Sequence, residues 1–187
     1  MKICAVICEY NPFHFGHAYL ISEMKKRGAV VAVMSGSFTQ RGEPAVISKY
    51  ERARAALLGG ADLVLELPFP YSSSCAERFA SAGTDIVSAL GCVDELCFGS
   101  EAGNIDSLRT AAERTASSAF VDAVKSCLSE GHGISYRSAV SEVYKKLYGA
   151  ELCGGSNDIL AISYLARLNQ TASSVRPVAV KRIREAY

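Results

Sequence analysis

The residues best suited to chemistry in this sequence are His14 and His17, which stand two residues before and one residue after Gly16. Both imidazoles can donate hydrogen bonds to phosphate oxygens and can carry a charge near neutral pH. An apolar run over residues 3–7 precedes them and a helical pattern over about 17–27 follows, so the turn joins a strand to a helix. The first N–H groups of a helix lack partners, the helix dipole is positive there, and a glycine lets a ligand approach the backbone. The turn is therefore predicted to bind phosphate.

Two histidines in a turn can also be ordinary polar loop residues, because short motifs often match by chance. The chain has only three histidines, however, and two of them fall in this turn. The turn also follows the first strand of an alternating β/α chain, which is where such folds bind nucleotides. The third histidine, His132, stands between two glycines and is interpreted as a turn residue.

A polar loop over residues 35–44 follows the second predicted strand and supplies weaker candidates for substrate binding. A solvated loop explains these residues equally well, so both interpretations stay open. The candidates are Ser35, Gly36, Gln40 and Arg41.

Metal binding by the protein itself is not predicted. Asp62 and Glu66 lie four residues apart on a predicted strand, which places both on one face, but structural pairing is the preferred interpretation. The seven cysteines form no CxxC pair and are odd in number, so neither a zinc site nor a disulfide framework is expected. We interpret them as reduced thiols, used as small buried apolar residues in a cytosolic protein.

Strand and helix patterns alternate along the chain. Strands are predicted at about 2–8, 29–34, 62–67 and 95–98, with a last strand-like run at 175–183. A block of helices at about 104–115, 118–129, 135–148 and 157–168 precedes that last run. This order predicts an α/β fold with a Rossmann-like, doubly wound parallel sheet and a helical block in the C-terminal third, within a single domain over residues 1–187. The loops 9–17, 35–44 and 99–103 follow strand ends and are expected to converge on one pocket.

Helix starts are signalled by polar residues. Ser48 and Glu51 fit the capping box, in which a serine and a glutamate satisfy each other's backbone N–H groups. Asn104 and Asn157 are predicted to cap two later helices.

Composition narrows the class of protein. Of the 187 residues, 49% are hydrophobic and 21% are charged, which is ordinary for a globular domain. A net charge of +1 gives no electrostatic case for nucleic-acid binding by this chain alone. No signal peptide or apolar run of membrane-spanning length is found, so a cytoplasmic protein without a membrane partner is expected. The sequence also lacks the GxGxxG and GxSxG motifs, which argues against dinucleotide binding and a serine nucleophile.

Five ordered sequence blocks carry a resemblance to a known family. The turn 14–17 resembles the HxGH signature of the nucleotidyltransferase superfamily, whose members bind ATP there and form adenylates. Together the blocks resemble bacterial tRNA(Met) cytidine acetate ligases, over nearly the whole chain. The blocks are residues 9–17, 34–45, 61–68, 98–101 and 157–160.

This resemblance implies an activity. The family activates acetate with ATP to give acetyl-adenylate and pyrophosphate, then transfers the acetyl group to N4 of the wobble cytidine of elongator tRNA(Met). By resemblance His14 and His17 are catalytic, and Mg²⁺ is expected to accompany ATP. The implied ATP contacts are Ile7, Cys8, Glu9, Tyr10, Asn11, Pro12, Phe13, His14, Phe15, Gly16, His17, Ala18, Tyr19, Leu20, Gly99, Asn157 and Arg182.

The sequence departs from the family pattern at three places. Phe15 stands where asparagine is usual, and Gly155-Ser156 stands where proline is usual. Family members also continue beyond the position of Tyr187, so tRNA binding is expected to need the C-terminal region that is absent here. Two alternatives stay open: another HxGH adenylyltransferase acting on a small phosphorylated pantetheine or nicotinate compound, and an ATP-binding module without activity.

Overall fold

The computed structural model describes residues 1–130, 133–152 and 155–183. Its centre is a sheet of five parallel strands, in the order β3-β2-β1-β4-β5. The strands are β1 (Lys2–Cys8), β2 (Gly28–Ser35), β3 (Leu63–Leu67), β4 (Glu95–Ser100) and β5 (Arg176–Lys181). The predicted Rossmann-like parallel sheet is thus confirmed, whereas the single domain over 1–187 stays a prediction.

Seven helices lie in the described part of the chain. They are α1 (Phe15–Lys25), α2 (Lys49–Leu58), α3 (Ala76–Ala89), α4 (Ile105–Ala116), α5 (Ser118–Glu130), α6 (Tyr136–Tyr148) and α7 (Ser156–Gln170), with a short 3₁₀ turn at Tyr71–Ser73. The predicted helical block therefore corresponds to α4 to α7. The turn assigned to His132 lies outside the described residues.

The sheet separates two apolar cores, because alternate side chains of a strand point to opposite faces. Cys4 and Val6 of β1 pack with Ile21 and Met24 of α1. On the other face, Ala5 and Ile7 join the core formed with α3 to α7. Both faces of the sheet are therefore covered by helices, as in a doubly wound fold.

The sheet has a topological switch point between the parallel strands β1 and β4. The chain runs outward from β1 through β2 to β3 and then returns to place β4 on the other side of β1. At such a switch point the flanking loops diverge and leave a crevice at the carboxyl ends of the strands. The candidate site lies there.

Two predicted helix caps differ in the structure. Ser48 accepts a hydrogen bond from the Glu51 N–H (3.3 Å), but among the described residues the return bond from Glu51 is not formed, so only half of the predicted box exists. Asn157 is not the cap of α7, because that helix begins at Ser156 with Gly155 before it. A carboxylate from another loop takes over the capping role there. Asn104 caps α4 as predicted.

A buried carboxylate and three partly exposed cations join the amino ends of the strands. Glu95 is 1% exposed and accepts hydrogen bonds from Lys2 (2.7 Å), Arg27 (2.5 Å) and Arg176 (2.9 Å). The bond from Arg27 is the main reason that the pKa of Glu95 falls to about 2. Cys4 and Cys97 lie within reach of the same carboxylate, in the one cluster of three potential metal ligands among the described residues. Three cations already neutralise the carboxylate, and burial raises the pKa of both thiols, so this group is explained as a structural cluster.

The other cysteines and the acidic pair have simple surroundings. All six described cysteines are free thiols, but Cys75 and Cys92 are exposed, so burial was predicted wrongly for these two. Asp62 pairs with Lys25 and Glu66 with Lys49, which confirms the structural interpretation. None of the described helices has the length and apolar character needed to cross a membrane.

Candidate functional site

A cavity of about 490 Å³ opens at the carboxyl ends of the strands. The turn after β1 forms one wall, and the loop after β2 forms a second. The start of α7 and the end of β5 together form a third. The predicted residues that line it are Ile7, Cys8, Glu9, Tyr10, Asn11, Pro12, His14, Gly16, His17, Tyr19, Leu20, Gln40, Arg41, Gly99, Asn157 and Arg182. Residues from distant parts of the sequence thus meet at one place.

Five candidates fall outside the residues that line this cavity in the described part of the chain. Phe13 packs edge-on against Tyr10, with ring centroids 5.0 Å apart, and Phe15 is 83% exposed. Ser35 is fully buried, and its hydroxyl accepts a hydrogen bond from Arg52 (3.4 Å). The other two are Ala18 and Gly36.

The cavity has an apolar wall that the sequence analysis missed. Phe79 of α3, Phe98 of β4 and Tyr164 of α7 are buried core residues that also line the cavity. Their positions looked like ordinary helix and strand core, and only the topology shows that they face a ligand site. The remaining missed lining residues are Val6, Thr39, Glu43, Leu160, Val180, Lys181 and Ile183.

The two histidines form the cap of α1. The helix begins at Phe15, two residues earlier than predicted, so His14 is its cap and His17 lies in its first turn. His14 Nδ1 accepts from the Gly16 N–H (3.0 Å), and His17 Nδ1 accepts from the His14 N–H (3.3 Å). The rings stack with centroids 3.7 Å apart. Because each Nδ1 accepts a backbone proton, the proton of each neutral ring is on Nε2.

Their surroundings keep both rings neutral. Partial burial, followed by the nearby charges of His14 and Arg182, lowers the pKa of His17 to about 4. Burial and Arg182 also lower the pKa of His14. The expected charge near neutral pH is therefore wrong for His17 in the ligand-free protein. At pH 7 the turn offers neutral Nε2–H donors beside the positive end of α1.

A buried arginine links the loops that wall the cavity. Arg52 of α2 is fully buried and donates to the carbonyls of Glu9 (2.5 Å), Gly36 and Ile47 (3.3 Å). These carbonyls belong to two loops, the turn after β1 and the loop between β2 and α2, and no carboxylate binds Arg52 among the described residues. Arg52 thereby fixes the turn after β1 relative to the loop after β2.

Side-chain bonds between the same two loops complete this frame. The Glu9 carboxylate accepts from the Gln40 N–H, and Asn11 Oδ1 accepts from the Val46 N–H (2.8 Å). Gln40 also donates through Nε2 to the Ser74 carbonyl (3.0 Å). Gln40 is thus held by structural bonds, while Arg41 lines the cavity with an exposed side chain.

Two buried hydroxyls next to the cavity have no hydrogen-bond partner among the described residues. They belong to Tyr10 and Thr39, which are 1% and 5% exposed, and both residues line the cavity. An unpaired buried hydroxyl costs about 1–3 kcal/mol. Thr39 in particular lies in the loop after β2, where a polar ligand group could satisfy it.

The opposite wall is built where β4 meets the start of α7. The side chain of Arg182 lies against Gly99, where a Cβ would meet Arg182 Cγ at an ordinary contact distance of 3.4 Å. Asp158 is 1% exposed and accepts from the Ser100 hydroxyl (2.5 Å) and from the Glu101 N–H (3.1 Å). These bonds lock the loop after β4 onto α7 and place Asn157 beside Gly99 at the cavity wall.

A family profile and individual relatives of known name agree on the family to which this chain is similar. The sequence profile of the HIGH nucleotidyl transferase family matches residues 1–187. A tRNA(Met) cytidine acetate ligase of Acetivibrio thermocellus is 43% identical over 198 residues, covering 100% of this chain and 47% of that protein. One of Caldicellulosiruptor saccharolyticus is 41% identical over 192 residues, with the same coverage. The chain spans about half the length of the curated relatives that it matches.

Solved structures agree with the sequence comparison. The crystal structure of Thermotoga maritima TmcAL bound with alpha-thio ATP matches with a TM-score of 0.87 at 35% identity, covering 98% of this chain and 47% of that one. An apo form of the same protein matches equally well. The resemblance inferred from the five sequence blocks is thereby confirmed, and so is the nucleotidyltransferase fold.

Proposed function

Because the chain belongs to the HIGH nucleotidyl transferase family, we propose that its cavity binds ATP and adenylates acetate. One observation carries the proposal: the capped start of α1, Gly99, Asn157 and Arg182 converge on a single cavity. The similar Thermotoga maritima protein has been solved with an ATP analogue, which supports the nucleotide as ligand.

The proposed chemistry needs no covalent enzyme intermediate. A carboxylate oxygen of acetate attacks the α-phosphorus of ATP, the bond from that phosphorus to the bridging oxygen breaks, and pyrophosphate leaves with the bond's electron pair. The products are acetyl-adenylate and pyrophosphate. The protein contributes by positioning the two reactants and by stabilising charge on the phosphate oxygens.

Three groups would stabilise that charge. His14 and His17 supply neutral Nε2–H donors, and the first N–H groups of α1 supply the positive end of the helix dipole. Arg182 supplies a permanent positive charge. For acetate we propose the wall formed by the loop after β2, where the Thr39 hydroxyl has no partner in the described part of the chain and Arg41 supplies a cation.

Magnesium fits this site as a companion of ATP. Mg²⁺ in phosphate-transfer sites usually takes one or two carboxylates and binds the rest of its shell through phosphates and water. The carboxylates that line the cavity are Glu9 and Glu43, so these residues would hold it. When bound, the ion would neutralise part of the phosphate charge.

Transfer to RNA forms the second step of the proposed function. N4 of the wobble cytidine of elongator tRNA(Met) attacks the acetyl carbonyl, AMP leaves, and the nitrogen loses a proton. The names of the relatives support this substrate. A net charge of +1 supports our view that tRNA binding also needs a further region of the protein. We propose that the reaction takes place in the cytoplasm, where ATP and tRNA are found.

Trapping of the intermediate tests the proposal. The chain is incubated with ATP, labelled acetate and hydroxylamine, which converts acetyl-adenylate to labelled acetohydroxamate. We expect hydroxamate and pyrophosphate in equal amounts. Pyrophosphate release that depends on a nicotinate compound or a phosphorylated pantetheine, and not on acetate, would point to another adenylyltransferase. ATP binding without any pyrophosphate or hydroxamate would contradict the adenylation proposal.

A further inference from the structure

The Glu101 carboxylate connects Asn157 and Arg182, two residues of the cavity wall formed by β4, β5 and α7. Glu101 Oε1 accepts from Asn157 Nδ2 (2.6 Å) and lies 3.7 Å from Arg182 Nη1. Glu101 directly follows β4, and it belongs to a sequence block that the proposed function leaves without a task. Its neighbours Asn157 and Arg182 both line the cavity.

The second oxygen of the same carboxylate caps α7. Glu101 Oε2 accepts from the Asp158 N–H (3.1 Å), while the Asp158 carboxylate accepts from the Glu101 N–H (3.1 Å). Both oxygens of Glu101 are thus held by protein donors. Gly155 makes room for this arrangement, because a Cβ at that position would overlap the Glu101 carboxylate.

This capping decides how a nucleotide can lie in the cavity. The start of a helix attracts phosphate through its unpaired N–H groups and its dipole. At α7 a protein carboxylate already accepts one of these N–H groups and adds a negative charge. The start of α1 is capped by a neutral imidazole instead, so the phosphates of ATP are directed to α1 and its histidines, and the nucleoside is left beside Asn157 and Gly99.

The bond to Glu101 also fixes the orientation of the Asn157 amide. A carboxylate oxygen can only accept, so the amide must present its NH₂ group to Glu101. We propose that Glu101 is a positioning residue that holds Asn157 with Oδ1 toward the nucleotide, so that Asn157 selects a hydrogen-bond donor of the nucleoside. This inference rests on the proposed function, because it takes ATP as the ligand.

Nucleotide analogues test this assignment. Affinities are measured by calorimetry for ATP and for three analogues that each lack one donor: 2′-deoxy-ATP, 3′-deoxy-ATP and purine riboside triphosphate, which lacks the 6-amino group. In the unchanged chain we expect one analogue to bind about 10-fold more weakly than ATP, the effect of one lost hydrogen bond. In Asn157→Ala and Glu101→Ala the same analogue and ATP should bind within about 2-fold of each other.

The ratio of affinities separates positioning from general damage. A variant that only disturbs the fold weakens ATP and the analogue equally and keeps the 10-fold ratio. Asp106→Asn is the matched control, since it removes a carboxylate five residues further on, at the start of α4, and should keep the ratio. Gly155→Ala displaces the Glu101 carboxylate without changing its charge, so this variant should lose the 10-fold ratio of affinities.

Three results would overturn the assignment. The first is an unchanged chain that binds all three analogues as tightly as ATP, because no donor is then recognised. The second is a Glu101→Ala chain that keeps the full ratio, because the amide is then oriented without Glu101. If the unchanged chain binds no ATP at all, the proposed function itself fails and the role of Glu101 falls with it.

Discussion

Each histidine of the turn after β1 uses its Nδ1 atom for structure, which puts the proton of the ring on Nε2. The Nδ1 atoms accept backbone N–H groups at the start of α1, which fixes the rings and their tautomers. A donor that is already oriented stabilises developing charge without further reorganisation. This makes the turn the centre of the proposed chemistry.

Removal of the donor of His17 should slow the first step strongly. We expect His17→Ala to reduce acetohydroxamate formation by about 10²-fold, as is typical for the loss of one preorganised donor. Ser22→Ala, an exposed change in the same helix, should leave the rate unchanged. Equal rates for His17→Ala and the unchanged chain would contradict the assigned role.

The low pKa of His17 predicts a pH dependence of stability. The native state holds this ring neutral down to about pH 4, whereas the unfolded chain protonates it near 6.5. The contribution to the free energy of unfolding is therefore complete above pH 6.5 and is lost as the pH falls from 6.5 to 4. Urea unfolding of the unchanged chain and of His17→Asn should show a smaller loss in this window for the variant. Direct NMR titration of the ring should give a midpoint near 4, and a midpoint near 6.5 would contradict the structure.

At the scale of elements, the walls of the cavity are set by contacts that join distant loops. Arg52 reaches from α2 to carbonyls of the turn after β1 and of the loop between β2 and α2, and Asp158 joins α7 to the loop after β4. A loop without such contacts would hold its side chains in many positions. The loops after β1 and β2 are thus held together in one frame, and the loop after β4 is held against α7.

Loss of Arg52 should damage both stability and binding. We expect Arg52→Met to lower the free energy of unfolding by about 3 kcal/mol, because several buried carbonyls lose their donor. ATP binding, measured by calorimetry, should weaken as well, since the turn after β1 loses its connection to the loop after β2. Arg54→Met on the exposed side of the same helix should change stability by less than about 0.5 kcal/mol. A native-like stability of Arg52→Met would show that this frame does not depend on Arg52.

Local sequence signals predicted most of the sheet, since its strands are apolar runs bounded by Gly and Pro. Local signals gave a wrong prediction where a residue distant in the sequence caps a helix in place of a local residue. Asn157 looked like a cap, but Glu101 takes that task from 56 residues away in the sequence. Histidine is an uncommon cap residue, so the start of α1 was placed two residues too late. Arg52 and the apolar wall of the cavity gave no local signal, because only the tertiary fold shows their surroundings.

In the whole molecule, the carboxyl ends and the amino ends of the strands differ in function: the first form the cavity and the second a stabilising ion cluster. The carboxyl edge holds the cavity, whose walls leave hydroxyls of Tyr10 and Thr39 unpaired among the described residues. The amino edge holds Glu95 with Lys2, Arg27 and Arg176, which join β1, β2, β4 and β5. A substitution in the Glu95 cluster should therefore change stability without changing ATP binding.

Glu95→Gln tests this separation. We expect a loss of about 2–3 kcal/mol in the free energy of unfolding at pH 7, because the buried carboxylate holds three cations. The native pKa of about 2 lies below the ordinary value of 4.5, so the stabilisation is present above pH 4.5 and is lost between 4.5 and 2. Urea unfolding should therefore show the difference between variant and unchanged chain shrinking over that range. ATP affinity should stay unchanged, and Glu113→Gln on the exposed face of α4 serves as the control.

The most direct test of the proposed adenylation is acetate-dependent exchange of labelled pyrophosphate into ATP, catalysed by this chain. Exchange requires that one site bind ATP, adenylate acetate and reverse the step, without any need for tRNA. We expect exchange that needs acetate, that disappears in the His14→Ala/His17→Ala double variant and that persists in Ser22→Ala. Exchange that ignores acetate, or that survives loss of both histidines, would contradict the claim that this cavity adenylates acetate through the turn after β1.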